Sequence, residues 1–456
     1  MHIPDCPDKP MIKISGQHNY HIKLITPMFG GGVSTRVNDP SFPIRPTSIR
    51  GQLQFWWRAT VGAQYATSTE LRAAQSAVWG DTTQASRVQV RVELKGKPSD
   101  TKVCAVIRHN HNNRLAVFWE SPFKDTALPY ALFPFQGTLN NEGPQLDPAS
   151  CIHDAEFELT VICHKDIDFK TKVEPALWAW VNFGGLGSRT RRGCGAIYCQ
   201  ELTPNDVNDF RIKWEQHMPQ EFSQREWPTL PKSGIVRTIE DPGDVFPVWD
   251  WLIGCFRDFR QGEDIGRNLG KQHNRPGRSR YPEPEAIRRI TGQRNGRHTR
   301  MKMPDDAFPR AEFGLPIVFH FQNERNDNPR DPVDTILYPD QKRERMASPL
   351  ILKPLALQNG KAIPLILRLK TPALTGVDLR MKRNNIQGLH NQLADEVLAT
   401  MHANDKEGSL PLPQPTRLVD PLLSTYDNSP LQKSTRGSAI DAFLAYARAK
   451  GFTEVK

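Results

Sequence analysis

The chain is short of cysteine, of acid relative to base, and of uninterrupted apolar sequence, and each shortage removes a class of protein. Its 456 residues hold seven cysteines. An odd, scattered set suits a reducing, cytoplasmic setting better than a disulfide framework. No two cysteines form a Cys-x-x-Cys pair; Cys194 and Cys199 stand five residues apart, and the possible ligands Cys163-His164 and His109-Asn-His111 lack the paired spacing of a zinc site. No metal site and no cofactor is therefore expected. No apolar run nears the ~20 residues that cross a bilayer, and Met1–Pro10 is polar and proline-rich rather than apolar, so neither a membrane span nor a secretion signal is expected. The phosphate fingerprints of nucleotide enzymes are missing too. Gly187 and Gly193 are separated by five residues with no lysine following, and no Gly-x-Gly-x-x-Gly fits anywhere near them. No Ser/His/Asp order can be argued among residues so common.

What is present is base. Sixty Lys and Arg face fifty Asp and Glu, a formal net charge of +10, which favours a polyanionic partner. The charge is concentrated in two places. Residues 184–195 read Gly-Gly-Leu-Gly-Ser-Arg-Thr-Arg-Arg-Gly-Cys-Gly, five glycines around Arg189, Arg191 and Arg192. Glycine admits positive φ and lets a ligand reach the backbone N–H groups. Arginine offers a rigid fork of donors that matches phosphate oxygens. The stretch reads as a flexible basic loop that holds a polyanion, with Gly185, Gly187, Ser188 and Gly193 giving room and N–H groups beside the arginines. The second concentration lies between Arg257 and Lys302, where eleven arginines and two lysines meet five acids. Poor in apolar residues, it reads as a mobile insertion that orders on nucleic acid. Its candidate contacts are Arg275, Arg278 and Arg280, with Arg288 and Arg289 in the same cluster.

Periodicity places these segments. Tyr20–Thr26 alternates like a strand and runs into Pro27 and the glycines Gly30 to Gly32. A helix is expected from Thr47 or Ser48, either serving as N-cap, to about Val61. Strands are expected at Arg87–Leu94, Lys102–Ile107 and Phe157–Cys163, with a helix from Pro175 to Asn182 just before the glycine–arginine loop. A second half carries a helix at Val248–Phe259, strands at Leu315–Phe321, Leu350–Leu357 and Ala362–Leu369, and a helix at Ser438–Lys450. The order suggests an α+β fold of two ferredoxin-like domains, residues 1–205 and 206–456, with long basic and Pro/Gly-rich loops, the second domain containing the basic insertion 257–302.

The first helix carries two stripes. Ile49, Leu53, Trp56 and Thr60 share one face; Arg50, Gln54, Trp57 and Arg58 share another. The second stripe suits a sugar–phosphate backbone with unstacked bases, Trp57 being the stacking candidate, although both tryptophans also fit a core.

These residues carry a resemblance. Ile44 to Ala59, Ile-Arg-Pro-Thr-Ser-Ile-Arg-Gly-Gln-Leu-Gln-Phe-Trp-Trp-Arg-Ala, resembles the signature of the subunit-one family of the Cmr complex, the type III-B CRISPR effector. Leu24 to Gly32 resembles the strand end and glycine turn of that family, and Trp79-Gly80 its short element after the first helix. The loop at 184–195 resembles the glycine-rich loop of the wider RAMP superfamily. Phe313 to Ile317 and Arg345 to Leu350 resemble later elements. Pro43 departs from the pattern, where relatives often carry an acid. The resemblance implies a non-catalytic RNA-binding subunit near the 3′ end of crRNA that assists target RNA capture in antiviral defence, with crRNA, target RNA and the other Cmr subunits as partners. It makes Arg45, Ser48, Arg50 and Arg58 candidate RNA contacts. Two other readings stay open. One is a RAMP endoribonuclease using Asp39, which lies in the loop between first strand and first helix, or a histidine such as His18 or His21. The other is a stand-alone phosphoanion-binding enzyme.

Overall fold

The structure, a computed structural model, describes residues 14–30, 32, 34, 36–108, 115–139, 144–218, 220–232, 236–269, 277–296, 308–321, 330–339, 343–374, 376–381, 409–410 and 438–455. It mixes helix and sheet. Two compact units are interleaved in sequence rather than divided once near residue 205: one comprises residues 1–253, 351–372 and 454–456, the other 254–350 and 373–453. Interleaving arises because the late strand pair 350–368 belongs with the early sheet's core, where Ile351, Leu355, Ile363 and Leu365 are buried.

The first unit starts with β1 (Ile14–Leu24), α1 (Pro46–Ala59), α2 (Ser68–Trp79), β2 (Val88–Lys95), β3 (Glu156–His164), α3 (Glu174–Phe183) and β4 (Ile197–Cys199). The four strands are antiparallel in the spatial order β4-β1-β3-β2, with Tyr20 opposite Leu159 and Ile22 opposite both Phe157 and Cys199. Alternation along β1 and β3 turns Tyr20, Ile22, Leu24, Phe157, Leu159 and Val161 into the core. Helices α1 and α3 cover that face; Trp56 and Phe183 meet at 5.9 Å between ring centres. A second sheet, in the order β6 (Leu350–Ala356), β7 (Ala362–Arg368), β5 (Val236–Thr238), β8 (Thr453–Glu454), repeats the pattern of last strand beside first, then third, then second.

Helix α1 begins at Pro46, one residue before Thr47 and two before Ser48, the two expected caps. Arg45 stands at the N-cap without a side-chain hydrogen bond, and Pro46 takes the first helical position, where its fixed φ suits a helix start and its missing N–H is no loss. Helix α2 escaped the periodicity reading, although its signal was legible: Thr67 and Glu70 form a reciprocal capping box. Helix α3 is buried on every side, as an apolar run between two layers requires.

The second unit overturns the reading of 257–302 as an unfolded arm. The helix Val245–Gln261 carries the unit boundary between Ile253 and Gly254. Beyond it, Glu283–Thr291 is helical. Its Ala286 and Ile287 join Phe308, Leu315, Phe319 and Leu379 in a separate core. Two acids, Glu283 and Glu285, and two arginines, Arg288 and Arg289, hid this apolar face, because the sequence cannot show that the charges neutralise one another. Arg278 pairs with Glu285 at 2.7 Å, Arg280 with Asp264, and Arg288 with Asp331 through two bonds of 2.7 and 2.8 Å. Glu285 also accepts from Arg294. Arg278 and Arg280 are thus committed inside the fold; Arg275 lies outside the described residues.

Candidate nucleic-acid interface

The glycine–arginine segment is a closed, hydrogen-bonded turn, not the open flexible loop its composition suggests. The Thr26 hydroxyl donates to the Gly193 carbonyl at 2.6 Å and accepts from the Ala196 N–H at 2.8 Å. Gly195 N–H donates to the Pro27 carbonyl, Leu186 N–H to the Gly195 carbonyl and Ser188 N–H to the Phe29 carbonyl, at 2.9, 2.8 and 2.9 Å. The glycines are required at two of these contacts. At Gly195 (φ +63°) an added Cβ would meet the Leu186 oxygen at 1.9 Å, and at Gly187 (φ +75°) the Phe29 oxygen at 2.4 Å. Glycine here permits close backbone approach and a left-handed conformation together. Gly185 and Gly193 are buried, so they shape the turn rather than its surface.

The turn meets the start of α1 across a cleft of about 280 Å³. Gly30, Arg45, Ser48, Gly51 and Gly187 line it, with Ile44 and Leu186 among its apolar walls. Two motifs some 140 residues apart in the chain are thereby brought to one place. The α1 N-terminus has no side-chain cap; Pro46 carries no N–H and the Ser48 N–H donates to the Arg45 carbonyl at 3.0 Å, which leaves the Thr47 N–H and the positive end of the helix dipole at the cleft. That combination is a seat for phosphate.

Arg45 is the arginine in the cleft's lining; Arg189 and Arg191, in the adjoining turn, rest on aromatic rings. The Arg191 guanidinium lies 5.6 Å from the Phe55 ring centre of α1, and that of Arg189 lies 5.5 Å from Phe133. Burial pulls the Arg191 pKa down to about 10 and lowers that of Arg189, yet both stay charged at neutral pH. Arg189 holds a left-handed φ of +57°, unusual for a side chain of that size. Among the described residues no carboxylate pairs with it. Arg192 donates to the Arg191 carbonyl at 2.9 Å, and its own carbonyl accepts from Trp249 at 2.7 Å.

Other predicted contacts fall elsewhere. Arg45 lines the cleft and pairs with Asp39 at 2.8 Å. Asp39 also accepts from the N–H groups of Ser41 and Phe42; these bonds, more than Arg45, hold its carboxyl below the usual range. It is a turn residue that orients Arg45. Arg50 donates to the Trp79 carbonyl, and Arg58 to Gln75 at 3.1 Å, so both tie α1 to α2. Trp57 is 0% exposed and offers no face to a base. His18 stacks on Phe169 at 3.5 Å, and burial lowers its pKa. His21 bridges Glu156 and Glu158 on the open sheet face at 3.0 and 3.1 Å. Glu93 stands opposite Glu158, and Lys23 and Lys95 pair with Glu156 and Glu93 at 3.0 and 3.2 Å, so the acids of that face are matched by bases. Among the described residues no three His, Cys, Asp or Glu gather as a metal set, and no helix is long and apolar enough to cross a membrane.

Sequence reasoning missed Phe133, Phe55 and Lys353. Only Lys353 had a local signal, a single cation within an apolar strand, Leu350–Ala356. Its ammonium, 1% exposed, donates to the Val181 and Gly184 carbonyls at 2.5 and 2.9 Å, closing the end of α3 where the turn begins. Burial pulls its pKa to about 7 from 10.5. A lysine lowered in the folded state binds fewer protons there than when unfolded, so stability rises with pH above 7. Between pH 7 and 8.5 the gain is about 1.5 kcal/mol. Above that, buried thiols such as Cys104 and Cys151, raised to about 12, stay protonated when folded, and stability falls again. Urea titrations of wild type and Lys353→Met across pH 7–8.5 isolate the lysine: the rise is expected in the first and absent from the second. Parallel profiles would show that Lys353 stays charged when buried.

The family model of the RAMP superfamily matches residues 21–198. Both walls of the cleft lie within those matched residues. Over 192 residues the chain is 26% identical to the CRISPR system Cmr subunit Cmr1-2 of Pyrococcus furiosus, covering 40% of this chain and 95% of that protein. Over 212 residues it is 23% identical to the Cmr1-1 subunit of the same organism, covering 45% of this chain and 52% of the relative; the chain thus spans about half the length of that second relative. It is also similar to the apo crystal structure of Cmr1 from Pyrococcus furiosus, with a TM-score of 0.49 and 16% identity over 96% of this chain and 98% of that one.

Proposed function

We infer that this chain is an RNA-binding subunit of a type III-B CRISPR effector, in the place that Cmr1 subunits hold, and that it grips RNA without cutting it. The observation that carries this reading is the cleft itself. An uncapped helix N-terminus, a glycine turn and the glycine–arginine segment converge on one space of about 280 Å³, with Arg45 in its wall and Arg189, Arg191 and Arg192 in the adjoining turn. A phosphodiester lying there accepts from backbone N–H groups while its neighbours meet guanidinium forks. The named relatives are subunits of a Cmr system, which favours crRNA near its 3′ end, target RNA and other Cmr subunits as partners, in the cytoplasm. The strand order shared by two of the four-stranded sheets supports a pair of ferredoxin-like folds. Within the 1–205 and 206–456 division read from sequence, the first part supplies both walls.

The non-catalytic reading rests on where acid–base candidates stand. Asp39 is engaged by two N–H groups and Arg45, and His18 and His21 do not line the cleft.

The test is salt-dependent binding of single-stranded RNA to the full chain. Each phosphate contact contributes a log–log slope of about −0.7. Replacing Arg189, Arg191 and Arg192 by glutamine is expected to weaken binding and flatten the slope by about 0.7 for each arginine that meets a phosphate. Glutamine is chosen because these side chains are half-buried, and a carboxylate there would be desolvated without a partner. Unchanged affinity and slope would overturn the reading, as would RNA cleavage that Asp39→Ala abolishes.

A further inference from the structure

The glycine–arginine turn has an aromatic neighbour whose outer face is open. Phe133 begins a short 3₁₀ turn, Phe133–Phe135, and is 63% exposed. An exposed phenylalanine is a poor solution to folding, since burying the ring would stabilise the protein. Here the ring is held in place rather than left loose. The Arg189 guanidinium lies over it at 5.5 Å. Two residues on, Phe135 stacks on Phe29 with ring centres 4.0 Å apart and planes within 2°. Arg36 fixes the intervening backbone by donating to the Pro134 carbonyl and, at 2.8 Å, to that of Phe135. Phe29 is itself part of the cleft's frame, because its carbonyl accepts from the N–H and hydroxyl of Ser188 at 2.9 and 3.1 Å.

We propose that Phe133 is a stacking platform for one unpaired base of the RNA whose phosphates occupy the cleft beside Gly187 and Ser48. The reasoning is one of spacing and chemistry, and it rests on the RNA-binding reading above. Gly187 lines the cleft, and Arg189, two residues later, lies at Phe133. Two residues reach at most about 7 Å, the scale of one nucleotide step in an extended strand. The length of the Arg189 side chain adds to that span, so a strand that seats a phosphate at the cleft can bring a base further along to the Phe133 ring. Arg189, unpaired by any described carboxylate, serves both neighbours, supporting the ring by cation–π attraction and drawing the adjacent phosphate. The platform reads no base edge, so it accepts any base with a π-face.

The experiment uses the full chain, single-stranded RNA carrying 2-aminopurine at successive positions, and a ribose-phosphate strand of the same length without bases. Phe133→Ala is expected to weaken RNA binding roughly 5- to 150-fold, the equivalent of about 1–3 kcal/mol for one stacked base. Phe133→Trp should restore affinity, and the salt slope should stay the same in all three proteins, since no phosphate contact changes. One 2-aminopurine position should be quenched by wild type and Phe133→Trp but not by Phe133→Ala. On the base-free strand, wild type and Phe133→Ala should bind equally. If Phe133→Ala matches wild type on RNA while the triple glutamine variant fails, the platform is wrong and the cleft stands. If wild type binds neither strand, the cleft reading falls and the platform with it. Loss of a Cmr subunit from the assembled complex, with RNA affinity unchanged, would make Phe133 a protein contact instead and overturn the proposal.

Discussion

Trp57→Ala is expected to destabilise the protein by about 3–5 kcal/mol and to leave the RNA affinity of the folded molecules unchanged. The indole is completely enclosed, with Leu53, Trp56 and Ala59 of the same helix also buried, and Tyr65 lies alongside at 6.3 Å between ring centres. Its Nε1–H finds no acceptor among the described residues, so what it supplies is packing, and truncation leaves a cavity that dense surroundings refill only in part. Trp57→Phe should recover most of the loss, because it keeps an aromatic ring and removes the unpaired donor. Urea denaturation measures the first effect; RNA titration well below the transition measures the second. A large loss of affinity with little change in stability would return Trp57 to the role its helical stripe suggests.

Asp331→Ala should cost a comparable amount, about 3–5 kcal/mol, in the other compact unit. Asp331 and Arg288 are 2% and 6% exposed at their side chains and joined by two short bonds. Asp331 also accepts from the Asn295 N–H at 3.0 Å. Removing the carboxylate strands a buried guanidinium, which is worse than having neither charge. The double variant Arg288→Met with Asp331→Leu should therefore be more stable than Asp331→Ala alone, as buried pairs replaced by apolar side chains often are. If the single variant is nearly neutral by urea denaturation, residues 277–296 are not the folded element described above and the basic-arm reading regains its ground.

Both results bear on how much of this protein can be read from its residues in order. The alternation of β1 and β3 was legible as a local period against one buried layer, and α3 and the strand pair 350–368 as continuous apolar runs buried on both sides. The helix Glu283–Thr291 was not, because a surplus of arginine looks the same whether its charges face water or acids brought from elsewhere. Lys353 was visible as an oddity, but its carbonyl partners, 172 and 169 residues away, were not. Trp57 fitted two roles equally well by helical spacing, and only the layer packed against α1 decides between them.

The sequence by itself determined the chemistry on offer: glycines that permit positive φ at 187, 193 and 195, guanidinium groups between them, a helix after a glycine turn, and a surplus of base that calls for an anion. Tertiary structure decided which of these groups meet. Thr26 and Gly193 are 167 residues apart yet bond through one hydroxyl, and that closure turns a glycine–arginine string into one wall of a cleft whose other wall is the start of α1. It also decided which arginines are already engaged and which aromatic ring keeps an open face. Local propensity acts over a few residues, whereas burial and ion pairing depend on neighbours that only the folded chain supplies.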